Sequence, residues 1–212
     1  VCIIPFLFGF FFPFIFIIDN VFSTFESVDL ENLIELTINS TSVSTISASL
    51  VVVIAIFFLM VEKYSKNKIN FFISQTISLG YAIPGAVIGL GLIMLFTSVE
   101  DILINKFSIF SFSLIGSFFV LIYAYVIRFL AVGKSPIKSS LEKHPESYDE
   151  TAKNLGLGPF SLFKKIHFPI NKWALVIAFI VTFIDVLKEL PITLILRPFN
   201  FDTLATQTFE FA

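Results

Sequence analysis

Residues 135–172 read SPIKSSLEKHPESYDETAKNLGLGPFSLFKKIHFPINK, the longest polar stretch in a chain otherwise built of apolar runs. Inside it, Glu150-Thr151-Ala152 is followed after three residues by Gly156, and nine residues later by Ile166-His167-Phe168-Pro169. Ser135-Pro136 reads as the N-cap and first residue of a short helix that extends the apolar run before it. Pro145 opens a second helix, with Glu146, Asp149 and Glu150 in its first turns, where acids complement the helix dipole. On that helix Tyr148, Ala152 and Leu155 fall at i, i+4 and i+7, a narrow apolar stripe opposite a charged face. Gly156 suits the left-handed position that ends a helix. Gly158-Pro159 starts a third helix carrying Phe160, Phe163 and Ile166, which Pro169 is expected to stop. A short amphipathic helix braced between apolar segments suits docking in another protein's groove. The same pattern also suits a helix lying on lipid.

Composition places this loop in its setting. The chain has 212 residues, is 56% hydrophobic and 14% charged, and has a mean hydropathy of +0.92. Soluble domains carry about 25% charged residues, so the class is an all-α polytopic membrane protein. A net charge of −2 gives no basic balance pointing to nucleic acid, and the single Cys2 excludes an internal disulfide or a cysteine metal site. The abundance of Phe (29 residues) is compatible with lipid. The first apolar run lacks a basic leader and a small-residue cleavage site and carries Pro5 and Pro13, so it reads as a kinked span rather than a signal peptide. Because the chain begins at Val1 inside an apolar run and stops at Ala212 after a polar one, it reads as a fragment of a longer protein.

A span needs about 20 apolar residues. Five segments qualify, at about 1–18, 41–61, 71–96, 108–131 and 172–194. The connection 19–40 carries Asp19, Glu26, Asp29, Glu31 and Glu35 with no Lys or Arg, whereas 62–70 carries Lys63, Lys66 and Lys68. Residues 97–107 hold Glu100, Asp101 and Lys106. Placing 62–70 and 132–172 on the cytoplasmic side puts eleven of the fourteen basic residues there, Arg128 included, as the positive-inside rule requires.

The third segment carries Gly80, Gly85, Gly89 and Gly91 around Pro84. The small pairs Ala82/Ala86 and Gly85/Gly89 let helix backbones approach closely in lipid, and Pro84 should bend the helix. A pore-lining or gating helix and a tightly packed interior helix both fit. In the fifth segment Asp185, Lys188 and Glu189 interrupt the apolar run, and ionisable residues within a span are functional candidates. An Asp185–Lys188 ion pair at i, i+3 and a role at the external mouth of a pathway are both open.

The loop pattern resembles the EAA loop of binding-protein-dependent ABC importer permeases, E-A-A, three residues, G, nine residues, I-x-L-P. Glu150, Ala152, Gly156, Ile166 and Pro169 match at the family's spacing, while Thr151 replaces the second Ala and Phe168 the Leu. Two further stretches, DVLKELPITLILRPFNFDTLAT at 185–206 and Ile4-Pro5-Phe6-Leu7-Phe8-Gly9-Phe10-Phe11-Phe12-Pro13, resemble ferric-iron importer permeases. The resemblance implies a type I ABC importer permease fold, with the chain as one permease domain lacking its final span. It implies a coupling loop of Tyr148, Asp149, Glu150, Thr151, Ala152, Leu155, Gly156, Ile166 and Pro169, seated on a cytoplasmic ABC ATPase dimer. Glu150 would supply a charge for that partner, Ala152 close approach and Gly156 the bend. A periplasmic binding protein and a second permease half, fused or separate, complete the implied assembly in a bacterial inner membrane. Thiamine, polyamine and sulfate permeases share this architecture, so the substrate stays open among them.

ATP and Mg are expected on the partner, not here. Gly133-Lys134-Ser135 looks like the end of a P-loop, but the glycine required five residues earlier is Arg128. His144 and His167 lie 23 residues apart without metal-ligand spacing, so no metal site is expected. An ion-driven transporter would need coupling carboxylates near the midplane, and an intramembrane enzyme would need paired His or Asp within spans. Neither pattern is found.

Overall fold

The computed structural model describes residues 3–25, 29–64, 68–107, 113–145 and 147–211. Cys2, Glu26, Lys66 and Glu146, and the start of the expected fourth segment at 108–112, lie outside the described residues. Five helices are long and apolar enough to cross a membrane, and the described residues form helices, turns and coil. This is a multi-pass, all-helical membrane protein.

Helices α1 (Ile3–Phe6) and α2 (Phe12–Thr24) are joined by a π turn, Leu7–Phe11. None of their residues is buried. The π turn precedes Pro13, which has no N–H and whose ring would strike the carbonyl four residues back. Phe12 N–H instead reaches the Leu7 carbonyl, one residue further back than in an α-helix. The expected kink is therefore a change of helical register.

Helix α3 (Leu30–Tyr64) starts well before the expected residue 41. Asp29 begins it, its Oδ1 accepting from Glu31 N–H at 3.1 Å and its carbonyl from Leu33 N–H at 3.0 Å. The acidic turn that follows is exposed, so charge there costs the helix little. The third segment is two helices, α4 (Lys68–Ala82) and α5 (Gly85–Phe107), interrupted at Ile83-Pro84. Helix α6 (Phe118–Leu141) begins later than expected, after Gly116 at φ +73° and a Ser117 N-cap. It also runs through Pro136, so Ser135 is a mid-helix residue and not the cap of a new helix.

After α7 (Ser147–Asn154) and α8 (Pro159–Leu162), a second π turn, Phe163–His167, leads into α9 (Phe168–Leu187). Pro169 does not stop a helix. Phe168 N–H bonds the Phe163 carbonyl, the same register change as before Pro13. The fifth segment ends earlier than expected, at Leu187, and a break at 188–190 precedes α10 (Pro191–Leu196). Helix α11 (Leu204–Glu210) closes the described chain, its Thr203 and Thr206 forming a reciprocal cap.

The core is α3, α6 and α9 packed on one another, with α4 against α6 and α5 against α6 and α10. Small residues on α3 make this approach close: Ser40, Ser44, Ser47, Ala48 and Ala55 are all buried. Where the three meet, a Cβ on Gly133 would run into the Val51 side chain and come within 3.1 Å of Thr182 Oγ1. The end of α3, the end of α6 and α7 meet at one end of the bundle, the basic end: Lys63 reaches Asp149, and Lys134 reaches Glu62. At the opposite end Glu100 accepts from the backbone N–H groups of Leu114 and Ile115.

Candidate functional site

Two constellations emerge, one at each end of α9. At the basic end, α7 is an eight-residue helix, too short to be stable in isolation. It is held by two inward residues, Asp149 and Ala152, both buried. Lys63 Nζ, from the end of α3, lies 2.7 Å from Asp149 Oδ2. His167 Nε2, from the π turn before α9, lies 3.0 Å from Asp149 Oδ1. One carboxylate thus ties α7 to two spanning helices.

The expected stripe of Tyr148, Ala152 and Leu155 is split. Ala152 is 2% exposed, whereas Tyr148 is 48% and Leu155 76% exposed. Asp149 takes the inward place because the Lys63 cation and the His167 ring meet it there. Glu150 and Thr151 face out with Tyr148 and Leu155, giving an outward face of one acid, one hydroxyl and two apolar groups. Gly156 has φ +78°, and Leu157 N–H bonds the Ala152 carbonyl at 3.1 Å across it, the bond that closes a helix through a left-handed residue. Ile166 is partly buried and Pro169 exposed.

Next to this joint Glu62 receives Lys134 at 3.1 Å, Lys138 at 3.6 Å and the Ser74 hydroxyl at 3.0 Å, linking α3, α4 and α6. Lys134 is buried and also bonds Ser74. The sequence pattern singles out these lysines as markers of sidedness, and Lys134 also within the P-loop look-alike, but it passes over Glu62. Its spacing from Ser74 and Lys134 carries no local signal.

The second constellation gathers the remaining candidates. The break at Ile83-Pro84 and the break after α9 face each other across Arg128 of α6. Arg128 Nη1 donates to the Ile83 carbonyl at 2.8 Å, and its Nε lies 3.2 Å from Glu189 Oε2. Glu189 Oε1 in turn accepts from Ile192 N–H at 3.4 Å, near the start of α10. A Cβ on Gly85 would stand 2.5 Å from Glu189 Oε1 and 3.0 Å from Arg128 Nη1, so a glycine there leaves room for the pair. Gly89 gives Ile195 the same close approach, with its Cβ position 3.1 Å from Ile195 Cγ2. Gly80 lets α4 close on the Ile127 carbonyl of α6.

Thr193 Oγ1 donates to the Glu189 carbonyl at 2.5 Å and pairs with the Tyr125 hydroxyl at 2.6 Å, fixing the break after α9 from within. Asp185 pairs with Lys188 at 2.7 Å, the i, i+3 contact weighed from the sequence. Lys188 points outward and Asp185 is buried. Both acids here are therefore matched by cations. Among the described residues no group of three or more His, Cys, Asp or Glu is placed to hold a metal ion.

No protein-family model matches the chain. Over 173 residues it is 28% identical to a Fe(3+)-transport system permease protein, FbpB 2, of Haemophilus influenzae. The match covers 81% of this chain and 32% of the relative, so the chain spans about a third of that protein's length. Along most of its length the chain is thus similar to a ferric-iron transport permease, the family that its stretches at 4–13 and 185–206 resemble.

Proposed function

We propose that this chain is a membrane-spanning part of the permease of an ATP-driven importer, with ferric iron as the cargo. The observation that carries the reading is the seating of α7. Its inner face is anchored by Asp149 and Ala152, and its outer face presents Tyr148, whose ring stacks on His144, with Glu150, Thr151 and Leu155. An anchored helix with an exposed mixed face suits a groove on a cytoplasmic ATPase. ATP and Mg belong to that partner, and closure of its dimer would push α7 and, through Asp149, α3 and α9. The passage would follow the two helix breaks around Pro84 and Glu189, since interrupted helices line substrate paths in transporters. A periplasmic binding protein would deliver the cargo, and a second permease half would complete the passage in the bacterial inner membrane.

The name of the Haemophilus relative supports iron over thiamine, polyamine or sulfate. An ion-driven mechanism is less well supported, because Asp185 and Glu189 are already paired with Lys188 and Arg128. The test is uptake of labelled ferric iron by cells carrying the full-length protein, its ATPase and its binding protein, with and without Glu150→Arg. Uptake that the reversal abolishes, with normal membrane insertion, supports both cargo and loop. No uptake by the intact system removes iron, and uptake indifferent to the reversal removes the loop's role.

A further inference from the structure

In a bilayer every backbone polar group freed by a helix break has to find a partner inside the protein. At the first break the Ile83 carbonyl loses its α-helical donor, because the Val87 N–H turns to the Pro84 carbonyl instead. Arg128 supplies the donor from another helix. At the second break Ile192 N–H, in the first turn of α10, finds Glu189 Oε1. A cation thus sits at the C-terminal end of α4 and an anion at the N-terminal end of α10, the signs that helix dipoles favour. The two caps are also each other's counter-ion, with side chains only 17% and 8% exposed. One unbroken chain of contacts therefore runs from the Ile83 carbonyl through Arg128 and Glu189 to the Ile192 amide.

We infer that Arg128 and Glu189 form a latch that makes the two helix breaks a single switch, so that neither opens without the other. Arg128 is the positioning residue, because only a forked guanidinium reaches a carboxylate and a carbonyl at once. Gly85 is part of the device, since any side chain there would enter the space of the pair. That the latch gates the cargo's passage rests on the permease reading above. That the two breaks move together does not.

The test uses the full-length protein in detergent and follows amide hydrogen exchange in peptides covering 80–88 and 188–196. Arg128→Lys keeps a charge but cannot span both partners, and Glu189→Gln keeps the shape and loses the charge. Each is expected to speed exchange about tenfold at both breaks, since the shared contact sets the opening of both. Exchange that rises only beside the substituted residue overturns the latch. The exchanged pair Arg128→Glu with Glu189→Arg gives a second arm. It restores the ion pair but sets an anion against a carbonyl and a cation against an N–H, so it is expected to stay fast at both breaks. Full recovery by the exchanged pair would reduce the contact to an ordinary salt bridge and overturn the capping role.

A third arm reads ATP hydrolysis by the assembled transporter without its binding protein, which should rise about fivefold in Arg128→Lys as the resting state loosens. Unchanged hydrolysis alongside coupled exchange would keep the latch and remove its part in gating. Absence of any hydrolysis in the wild-type assembly would count against the importer reading and leave the exchange result to decide the latch.

Discussion

Replacing Asp149 by Asn should release α7 from the bundle. The lost contact is the 2.7 Å pair with Lys63, together with the 3.0 Å contact to His167. The Lys63 and Asp149 side chains are 25% and 11% exposed, which places the pair between two regimes. Breaking a fully buried pair costs about 3–5 kcal/mol, and an exposed one is worth about 0.2–1 kcal/mol. A value near 2 kcal/mol is expected, about thirtyfold in the equilibrium between docked and released helix. An eight-residue helix does not persist once released, so amide exchange across 147–154 in the full-length protein reads that equilibrium directly. Asp149 also lies in the first turn of α7, where a carboxylate gains about 0.3–1 kcal/mol from the helix dipole. Lys63→Met separates the two effects, because it removes the pair and leaves the acid in place. The account expects Lys63→Met to speed exchange about tenfold or more. Faster exchange in Asp149→Asn with none in Lys63→Met would mean that the dipole, not the ion pair, holds α7, and would refute the joint between α7 and α3.

Packing at the centre of the bundle gives a second prediction. Gly133→Ala drives a Cβ into Val51 and towards Thr182 and should cost about 1–3 kcal/mol, seen as a lower thermal midpoint in detergent. Gly91→Ala meets nothing within 4 Å and should leave that midpoint level or raise it. At the end of α7, Gly156→Ala has open space but a φ of +78°, so it should cost about 1 kcal/mol of local stability through strain alone. Gly156→Pro cannot adopt that φ, because the ring fixes it near −65°, and should abolish uptake while the protein still inserts.

The parts of this architecture that follow from local chemistry were legible in the sequence. Apolar run lengths and the uneven placement of lysines gave five spans with both basic loops at one end, and Gly156 announced the end of α7. Boundaries were less legible where proline was taken as punctuation. Pro136 sits inside α6, and Pro169 sits in the first turn of α9, which continues directly from the π turn before it. That misjudgement hid Arg128. Set near the end of a span at 108–131, it reads as one more loop cation. In the actual helix, Phe118–Leu141, it lies well inside a span, where a charge demands a partner. Glu189 was singled out for its position, but its partner could not be, because the pair joins residues 61 apart in sequence. The inward place of Asp149 was illegible for the same reason. The periodicity of α7 marks Tyr148, Ala152 and Leu155 as one apolar stripe, and only the three-dimensional approach of Lys63 and His167 accounts for a carboxylate facing inward.

The central claim is that the outward face of α7 seats on an ATPase, and cross-linking at Leu155 tests it most directly. Leu155 is 76% exposed, so Leu155→Cys in a background with every other cysteine of the full-length protein, Cys2 included, replaced by Ser should leave the fold intact. In membranes holding the full-length protein and its ATPase, a short thiol cross-linker should join that cysteine to the ATPase, and adding ATP should change the yield. A Leu155→Cys protein that reacts freely with a water-soluble maleimide in the assembled complex, with no cross-linked product, would contradict the account.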